Sequence, residues 1–390
     1  MTLPALPGEL WLEILRWATL SPYSQALQTI DYTPFESYHT SADYVDEQVI
    51  VTKRALVAVC RQWRYLAGPF LLEDVVVANG GRAMKQALQF WNEERGEDGS
   101  WRIRRVCLPY SSCTPWHTEL NGALDVIRSF PKLEVLVRPF RARMDDMAFD
   151  ISAEDCPSMT SLKRLDWWHY NDAARTGGLN SLLDVLHAAP NLQYLSLCGD
   201  LWLNMMHRGQ VSLPHLATLR LQKMNILFLQ QICRWSLPAL RNIVLETYTH
   251  TPNFLEILWC AYGSQIKTVE LGKTLRFYVQ DLLSTILARC PNLEELSYYI
   301  QFTAPPQPPA ERHMHLHTIR LHALPNGIVD SSGSWAHIQE HFNAFSRPFF
   351  PSLKHIILYG DWKPILDNPG FAKLSAIVRA RNCSLEFARS

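Results

Sequence analysis

A short pattern of apolar and polar positions recurs along most of the chain. It is clearest in residues 189–197, where Leu192, Leu195 and Leu197 stand at relative positions 1, 4 and 6 of one copy. The other copies are Ile103/Val106/Leu108, Leu133/Leu136/Arg138, Leu162/Leu165/Trp167, Leu216/Leu219/Leu221, Leu240/Ile243/Leu245, Ile266/Val269/Leu271, Leu293/Leu296/Tyr298, Leu316/Ile319/Leu321 and Leu353/Ile356/Leu358. Consecutive copies begin 23 to 37 residues apart. A period of this length indicates stacked supersecondary units.

Each copy predicts one strand, because positions 4 and 6 alternate with polar neighbours, which is the pattern of a half-buried strand. Between the strands lie runs that we predict to be helical: 120–130, 179–188, 226–235, 254–262, 278–290, 335–345 and 371–381. In one of them, Leu282, Leu283, Ile286 and Leu287 form a single apolar stripe. The pattern therefore predicts an α/β fold in which short parallel strands alternate with helices.

This periodicity resembles the leucine-rich repeat family, from about residue 101 to the C-terminus. The copies are irregular, because the asparagine that the family usually carries three residues after position 6 is replaced. Those places hold Asp200, Met224, Tyr248, Thr274 and Gln301. The resemblance implies an irregular solenoid with parallel strands on its concave side and helices on its convex side.

The same pattern predicts a surface. If positions 4 and 6 point inward, positions 3, 5 and 7 point to the other face of the strands. We expect this face to hold a target protein, because mixed charges, arginines and exposed aromatic rings are typical of protein recognition. The candidate target-binding residues are Trp168, Tyr194, Arg220, Glu246, Glu270, Tyr299, Arg320 and Tyr359, with His322 on the same face. An ordinary solvated sheet face is the alternative for each of them.

Two helical segments are predicted before the repeats. In the first, Pro7 suits an opening helical turn, and Leu10, Ile14 and Leu15 belong to one apolar stripe. The second is predicted at residues 53–66, where Val59, Cys60 and Trp63 share a face. A loop-like insert, residues 21–52, separates the two, and a first strand at 70–77 and a helix at 84–94 are predicted to follow.

Together the two segments resemble an F-box. The family pattern is Leu-Pro-x-Glu-Leu followed by Ile-Leu, with Val-Cys-Arg-x-Trp in a second helix. The matching residues are Leu6, Pro7, Glu9, Leu10, Ile14, Leu15, Val59, Cys60, Arg61 and Trp63. The insert is longer than the connection that the family usually has. The resemblance implies a helical F-box-like module at residues 1–78 and a leucine-rich-repeat solenoid at residues 79–390.

The function that these resemblances imply is that of a substrate receptor in a Skp–cullin–F-box ubiquitin ligase. A Skp-type adaptor, and through it a cullin, would bind the apolar surface of the N-terminal helices. The residues expected there are Leu6, Pro7, Leu10, Ile14, Leu15, Val59, Cys60 and Trp63. An unidentified protein target would bind the strand face. The alternative is a leucine-rich-repeat scaffold without a ubiquitin-ligase role, in which the N-terminal helices only cap the repeats.

The amino-acid composition limits the partners and the cellular compartments that we expect for this protein. Lys+Arg and Asp+Glu number 37 each, so the net charge is zero, and we expect neither nucleic acid nor an anionic membrane as partner. No apolar run approaches the roughly 20 residues that cross a bilayer, and the N-terminus lacks a basic signal-peptide region. Nine cysteines without a Cys-x-x-Cys pair are typical of reduced thiols, so we expect an intracellular protein, in the cytoplasm or nucleus.

Motifs for chemistry are few. The alternating His313, His315 and His317 could line one face of a strand as metal ligands, but no cysteine or acidic residue completes a ligand set nearby. We favour solvated histidines over a metal site. The sequence has no glycine-rich nucleotide-binding motif and no nucleophile elbow. We therefore expect no catalytic residue, no cofactor and no metal, and a chain that is not itself an enzyme. A hydrolase concealed in the irregular repeats is a third hypothesis, which no motif supports.

Overall fold

The computed structural model describes residues 6–19, 30–36, 47–76, 103–108, 127–128, 132–138, 156–169, 177–199, 210–246, 253–272, 281–308, 311–323 and 332–388. Contacts divide the chain into two compact units. The first comprises Met1–Asp31, Ser37–Leu195 and Val211–His215; the second comprises Tyr32–Glu36, Ser196–Gln210 and Leu216–Ser390. The domain boundary expected at residues 78 and 79 stays a prediction.

The first unit begins with three helices: α1 (Gly8–Ala18), α2 (Glu47–Val59) and α3 (Arg61–Glu73). Their core is small and apolar, with Leu15, Ala67 and Phe70 buried at its centre. Leu56, Val57, Trp63 and Leu66 pack around these residues and are partly buried. Several apolar side chains of these helices, among them Leu10, Ile14 and Val59, stay at the surface.

The helix predicted at residues 53–66 is two helices, because the chain breaks at Cys60. The backbone of Cys60 is extended, with φ of −161°, and its Sγ accepts a hydrogen bond from the Trp63 N–H at 3.4 Å. A cap of this kind starts a new helix instead of continuing the old one. The strand predicted at residues 70–77 is also shorter than expected, since α3 extends to Glu73 and β1 covers only Asp74–Val76.

The strands of the first unit follow the helices in sequence order. Parallel pairing joins β1 to β2, β2 to β3 and β3 to β4. Their bounds are β2 Arg105–Cys107, β3 Val135–Arg138 and β4 Arg164–Trp168. A 3₁₀ turn, Gly178–Asn180, and helix α4, Leu182–Ala188, precede β5, Tyr194–Cys198. The predicted helices at 84–94 and 120–130 lie outside the described residues, except for residues 127 and 128.

The second unit repeats this alternation. Its strands are β6 Thr218–Leu221, β7 Asn242–Leu245, β8 Thr268–Leu271, β9 Glu295–Tyr299, β10 Thr318–Ala323, β11 His355–Gly360 and β12 Ser384–Phe387. Each pairs in parallel with the next. The helices are α5 Ile226–Ile232, α6 Asn253–Tyr262, α7 Leu282–Arg289, α8 Ser332–Phe345, α9 Lys363–Leu366 and α10 Pro369–Arg379.

The register places equal positions of consecutive repeats side by side. Ile243, Val269, Leu296, Ile319 and Ile356 occupy position 4 and are neighbours in that order across five strands. All five side chains are buried. Because side chains alternate along a strand, burying position 4 also buries position 6 and turns positions 5 and 7 to the opposite face. The predicted fold class, sequential parallel strands alternating with helices after an N-terminal helical segment, is confirmed.

Arg138 and Tyr298 carry polar groups at position 6 of their copies, and both groups have partners. The Arg138 guanidinium donates to the carbonyl oxygens of Leu179 and Asn180, at 3.2 and 3.1 Å. The Tyr298 hydroxyl lies 2.8 Å from His341 Nδ1 on α8, and His341 Nε2 lies 2.9 Å from the carbonyl oxygen of Thr303. Burial lowers the pKa of His341 to about 3, so its ring is neutral and can accept from one partner while it donates to the other.

The register makes position 4 a sensitive place in the second unit. Replacing Ile243, which is fully buried, by alanine should lower the free energy of unfolding by about 2–5 kcal/mol, since the cavity is enclosed by neighbouring strands. Ile226, on the surface of α5 with 43% of its area exposed, is the matched control. Its change to alanine should stay within about 0.5 kcal/mol. Urea denaturation followed by circular dichroism measures both, and equal losses would contradict the register.

Candidate functional site

The candidate site lies on the face of the second unit's strands that is opposite the buried positions 4 and 6. We call it the strand face, and define it by Arg220, Glu246, Glu270, Ser297, Tyr299, Arg320, His322 and Tyr359. The register sets two rows on this face. Glu270, Ser297 and Arg320 are neighbours in the position 5 row. Tyr299, His322 and Tyr359 are neighbours in the position 7 row. From β8 to β10 the position 5 row is therefore charged and polar, and from β9 to β11 the position 7 row is aromatic.

A segment of the predicted insert, Tyr32–Glu36, lies on the strand face. Its residues Thr33 to Glu36 form a turn, in which the Glu36 N–H donates to the Thr33 carbonyl oxygen at 3.3 Å. Phe35, the third residue of this turn, has φ of +55°. A positive φ is unusual for a bulky side chain and persists only where surrounding contacts hold it.

Glu270 holds the segment at two points. Its Oε2 accepts a hydrogen bond from the Tyr32 hydroxyl at 2.6 Å and another from the Phe35 backbone N–H at 2.8 Å. The Tyr32 hydroxyl also lies 3.3 Å from Ser297 Oγ, on the next strand. The Glu270 carboxylate therefore binds both a side chain and the backbone of the segment.

The aromatic row holds the Phe35 ring. Ring centroids lie 5.2 Å from Tyr299, 5.0 Å from His322 and 5.0 Å from Tyr359. The contacts with Tyr299 and His322 are edge-to-face, and Tyr299 stacks on His322 at 4.3 Å. Such geometries are favourable for aromatic pairs beyond the area they bury. The three rings come from consecutive strands, so the register itself forms the pocket.

Arg220 fixes the C-terminal end of the segment. Its Nη2 donates to the Glu36 carbonyl oxygen at 2.6 Å, and its Nη1 lies 3.7 Å from Glu36 Oε2. The same guanidinium forms a short ion pair with Glu246. A side chain at Gly272 would collide with Glu246, since a Cβ there would lie 2.8 Å from the Glu246 Cα. The glycine thus leaves room for the carboxylate that orients Arg220.

Burial under the segment changes the ionisation of the site. It raises the pKa of Glu270 to about 7, although Arg220 and the hydrogen bonds from Phe35 and Tyr32 oppose the rise. Burial, together with the charge of Glu270, also raises the pKa of Tyr32 well above its usual value. A buried carboxyl group with a strongly shifted pKa marks a functional-site candidate.

The predicted target-binding residues fall into two groups. Arg220, Glu246, Glu270, Tyr299 and Tyr359 belong to one site together, with Arg320 beside them in a two-point ion pair with Glu295. Trp168 and Tyr194 belong to strands outside this site, and the Arg164 guanidinium covers the Tyr194 ring at 4.1 Å.

The expectation that all eight residues are exposed is wrong: five of them are buried, and Tyr299, Arg320 and Tyr359 are half-buried. Trp168, Tyr194, Arg220, Glu246 and Glu270 are buried. In the second unit, Arg220 and Glu270 lie against the docked segment and are 2% exposed each. Ser297 belongs to the site but is not among the residues that the sequence predicts, although it stands at position 5 of its repeat. No signal in the sequence showed that residues 32–36 would bind this face.

The N-terminal helices present a second candidate surface. Leu10, Ile14 and Val59 are 49%, 46% and 60% exposed, which is high for aliphatic side chains. Leu6, Pro7 and Cys60 are also exposed. Two of the predicted adaptor-binding residues are not exposed. Leu15 is a core residue with 1% exposure, because it faces Ala67 and Phe70. Trp63 is half-buried against Trp11, with ring centroids 5.2 Å apart. Leu15 therefore does not contribute to the exposed surface.

The histidine cluster does not resemble a metal centre. His313 is buried, and its Nε2 lies 3.0 Å from the carbonyl oxygen of Cys290, so the expectation of a solvated side chain is wrong for this residue. β10 begins only at Thr318, after the three alternating histidines. Within the described ranges, no group of three or more histidine, cysteine or acidic residues is placed to hold a metal ion.

Comparisons with known proteins add little. No protein-family model matches the chain, and no curated protein matches it. Among solved structures, the chain is similar to the crystal structure of a Bacteroides fragilis protein, with 13% sequence identity, over 83% of this chain and 76% of that chain, at a TM-score of 0.38. Similarity at this level transfers no function to the chain.

The fold and the site together define a class. Each unit is a repeat-like array of parallel strands and helices of the leucine-rich-repeat type, an architecture suggestive of a protein-interaction scaffold. Among the described helices, none is long and apolar enough to cross a membrane.

The pKa of Glu270 predicts a pH dependence of stability. Its folded value of about 7 lies above the ordinary value of 4.5, so the folded state keeps a proton that the unfolded state loses between these values. The stabilisation of the folded state by protonated Glu270 is complete below pH 4.5 and is lost as the pH rises through about 7. The loss should be about 3 kcal/mol, at about 1.4 kcal/mol per pKa unit.

Replacing Glu270 by glutamine should remove this slope, because the amide mimics the protonated form at every pH. Thermal unfolding of the chain and of Glu270→Gln, compared at pH 5 and pH 8, measures the difference. Glu340→Gln, at an exposed position of α8, is the matched control and should keep the original slope. Parallel pH profiles for the chain and Glu270→Gln would contradict the assignment.

Proposed function

We propose that the chain is a substrate receptor of a Skp–cullin–F-box ubiquitin ligase. The N-terminal helices bind a Skp-type adaptor and through it a cullin, and the repeats bind the target protein. The observation that carries the proposal is the exposed apolar surface of α1 and α2, which lies where the F-box pattern of the sequence predicts adaptor contacts.

The surface has the chemistry that adaptor binding needs. α1 packs Leu15 into the helical core while Leu10 and Ile14, on its other sides, remain at the surface. Val59, at the end of α2, adds a further exposed aliphatic side chain. Exposed apolar side chains on helices that share one core support a protein-binding role, because water contact with them is unfavourable.

The repeats have the chemistry that target binding needs. The strand face combines a charged row with an aromatic row, and both already hold a short peptide segment of the chain. Aromatic rings and arginine are the side chains that most often dominate protein interfaces. A receptor of this kind performs no chemistry itself. It raises the effective concentration of a target lysine near the ubiquitin-conjugating enzyme, in the cytoplasm or the nucleus.

Co-purification with a Skp-type adaptor tests the proposal. The wild-type chain should retain the adaptor, and the double variant Leu10→Asp/Val59→Asp should lose at least about 30-fold in affinity, as expected for central apolar anchors. Both residues are exposed, so the variant should fold. Leu227→Asp is the matched control, since Leu227 is also a helical leucine with 49% exposure but lies in the second unit.

A wild-type chain that does not bind the adaptor would contradict the ligase role. It would leave the alternative, a repeat scaffold whose N-terminal helices only cap the first strands. Equal losses in the double variant and in Leu227→Asp would show instead that added charge, and not the site, controls binding.

A further inference from the structure

We propose that the strand face is a recognition site for a turn of the form Tyr-x-Pro-aromatic, and that Tyr32–Glu36 is an internal ligand which a target protein carrying such a turn displaces. This inference rests on the proposed function, because it identifies the target-binding site of the receptor and the chemistry of the target.

The contacts of the segment are those of peptide recognition. The site accepts one backbone N–H, from Phe35, and donates to one backbone carbonyl, that of Glu36. Two side chains of the segment supply selectivity: the Tyr32 hydroxyl reaches Glu270, and the Phe35 ring enters the aromatic row. Pro34 fixes φ before the aromatic residue and so favours the turn. Another chain with these groups in this order would make the same contacts.

The charges beneath the segment also favour a binding site over a structural brace. Arg220, Glu246 and Glu270 are buried, and Glu36 adds a further carboxylate near the same guanidinium. Burying ionised groups is costly, and an apolar contact would fix the segment more simply. A face that carries charged groups can be solvated once the segment leaves, whereas an apolar face in the same place would then be exposed to water.

The segment is suited to replacement. Asp31 and Thr33 are exposed, and Tyr32, Pro34, Phe35 and Glu36 are only partly buried. Its contacts lie on positions 5 and 7, whereas the repeats are held together by positions 4 and 6, so removing the segment leaves the core intact.

The test uses a fluorescent peptide with the sequence of residues 30–36 and measures its binding to the full chain by fluorescence anisotropy. The double variant Tyr32→Ala/Phe35→Ala, which removes the side chains of the internal ligand, should bind the peptide at least about tenfold more tightly than the wild type, because a closed site weakens apparent affinity. Phe387→Ala changes an exposed phenylalanine elsewhere in the second unit and should bind like the wild type.

The site itself is tested in the same background. Adding Tyr359→Ala to the double variant should weaken peptide binding about tenfold, since the ring is one wall of the aromatic row. A peptide with alanine in place of its phenylalanine should lose binding to a similar extent. Circular dichroism must show a cooperative thermal transition for each variant. If the double variant lacks one, Phe35→Leu replaces it, because this change keeps an apolar side chain but removes the ring contacts.

Two results would overturn the proposal. A folded variant that fails to bind the peptide would make the segment a structural brace. Equal binding by the wild type and the variant would show that the segment does not occupy the site in solution. Adaptor co-purification separates these failures from that of the ligase role. The wild-type chain and Tyr32→Ala/Phe35→Ala should both keep the adaptor, whereas a wild-type chain that binds no adaptor, together with a variant that binds the peptide, would contradict the ligase role alone.

Discussion

The ladder of aliphatic side chains at position 4 is the constraint on which the rest of the second unit depends. Ile243, Val269 and Leu296 are neighbours on consecutive strands and exclude water completely. Because successive side chains of a strand point to opposite faces, this burial forces positions 5 and 7 onto the other face of the strands. The rows of the strand face are therefore a by-product of the core, and a slip of one residue would destroy both.

The site uses this fixed geometry to bury charge. Glu270 is covered by Tyr32 and Phe35, so its ionised form loses solvation that the hydrogen bonds and Arg220 only partly replace. In the core, by contrast, buried polar groups are stabilised because each has a hydrogen-bond partner, as Tyr298 has in His341. The two places differ physically. The Tyr298–His341 pair is fully enclosed and its hydrogen bonds are complete. The site instead retains Glu270, whose protonation depends on whether the segment covers it.

The N-terminal helices show how a small core divides one apolar stripe. Leu15 takes the inward position against Ala67 and Phe70, and Leu10 and Ile14 stay outside, although all three belong to the same predicted stripe. Three short helices cannot bury every apolar side chain they carry, because a small module has too much surface for its volume. The exposed remainder is the surface on which the proposed adaptor binding relies.

The sequence alone determined the repeat, the parallel order of the strands and the inward and outward positions, since these follow from periods that are local to the chain. It also placed Arg220, Glu270 and Tyr359 on one face. The tertiary structure decided which of these residues are covered, because Tyr32–Glu36 comes from a distant part of the chain and no periodicity links it to that face. It likewise decided that Leu15 is buried and Leu10 exposed, and that Cys60 divides two helices, since both depend on which neighbours pack against the segment.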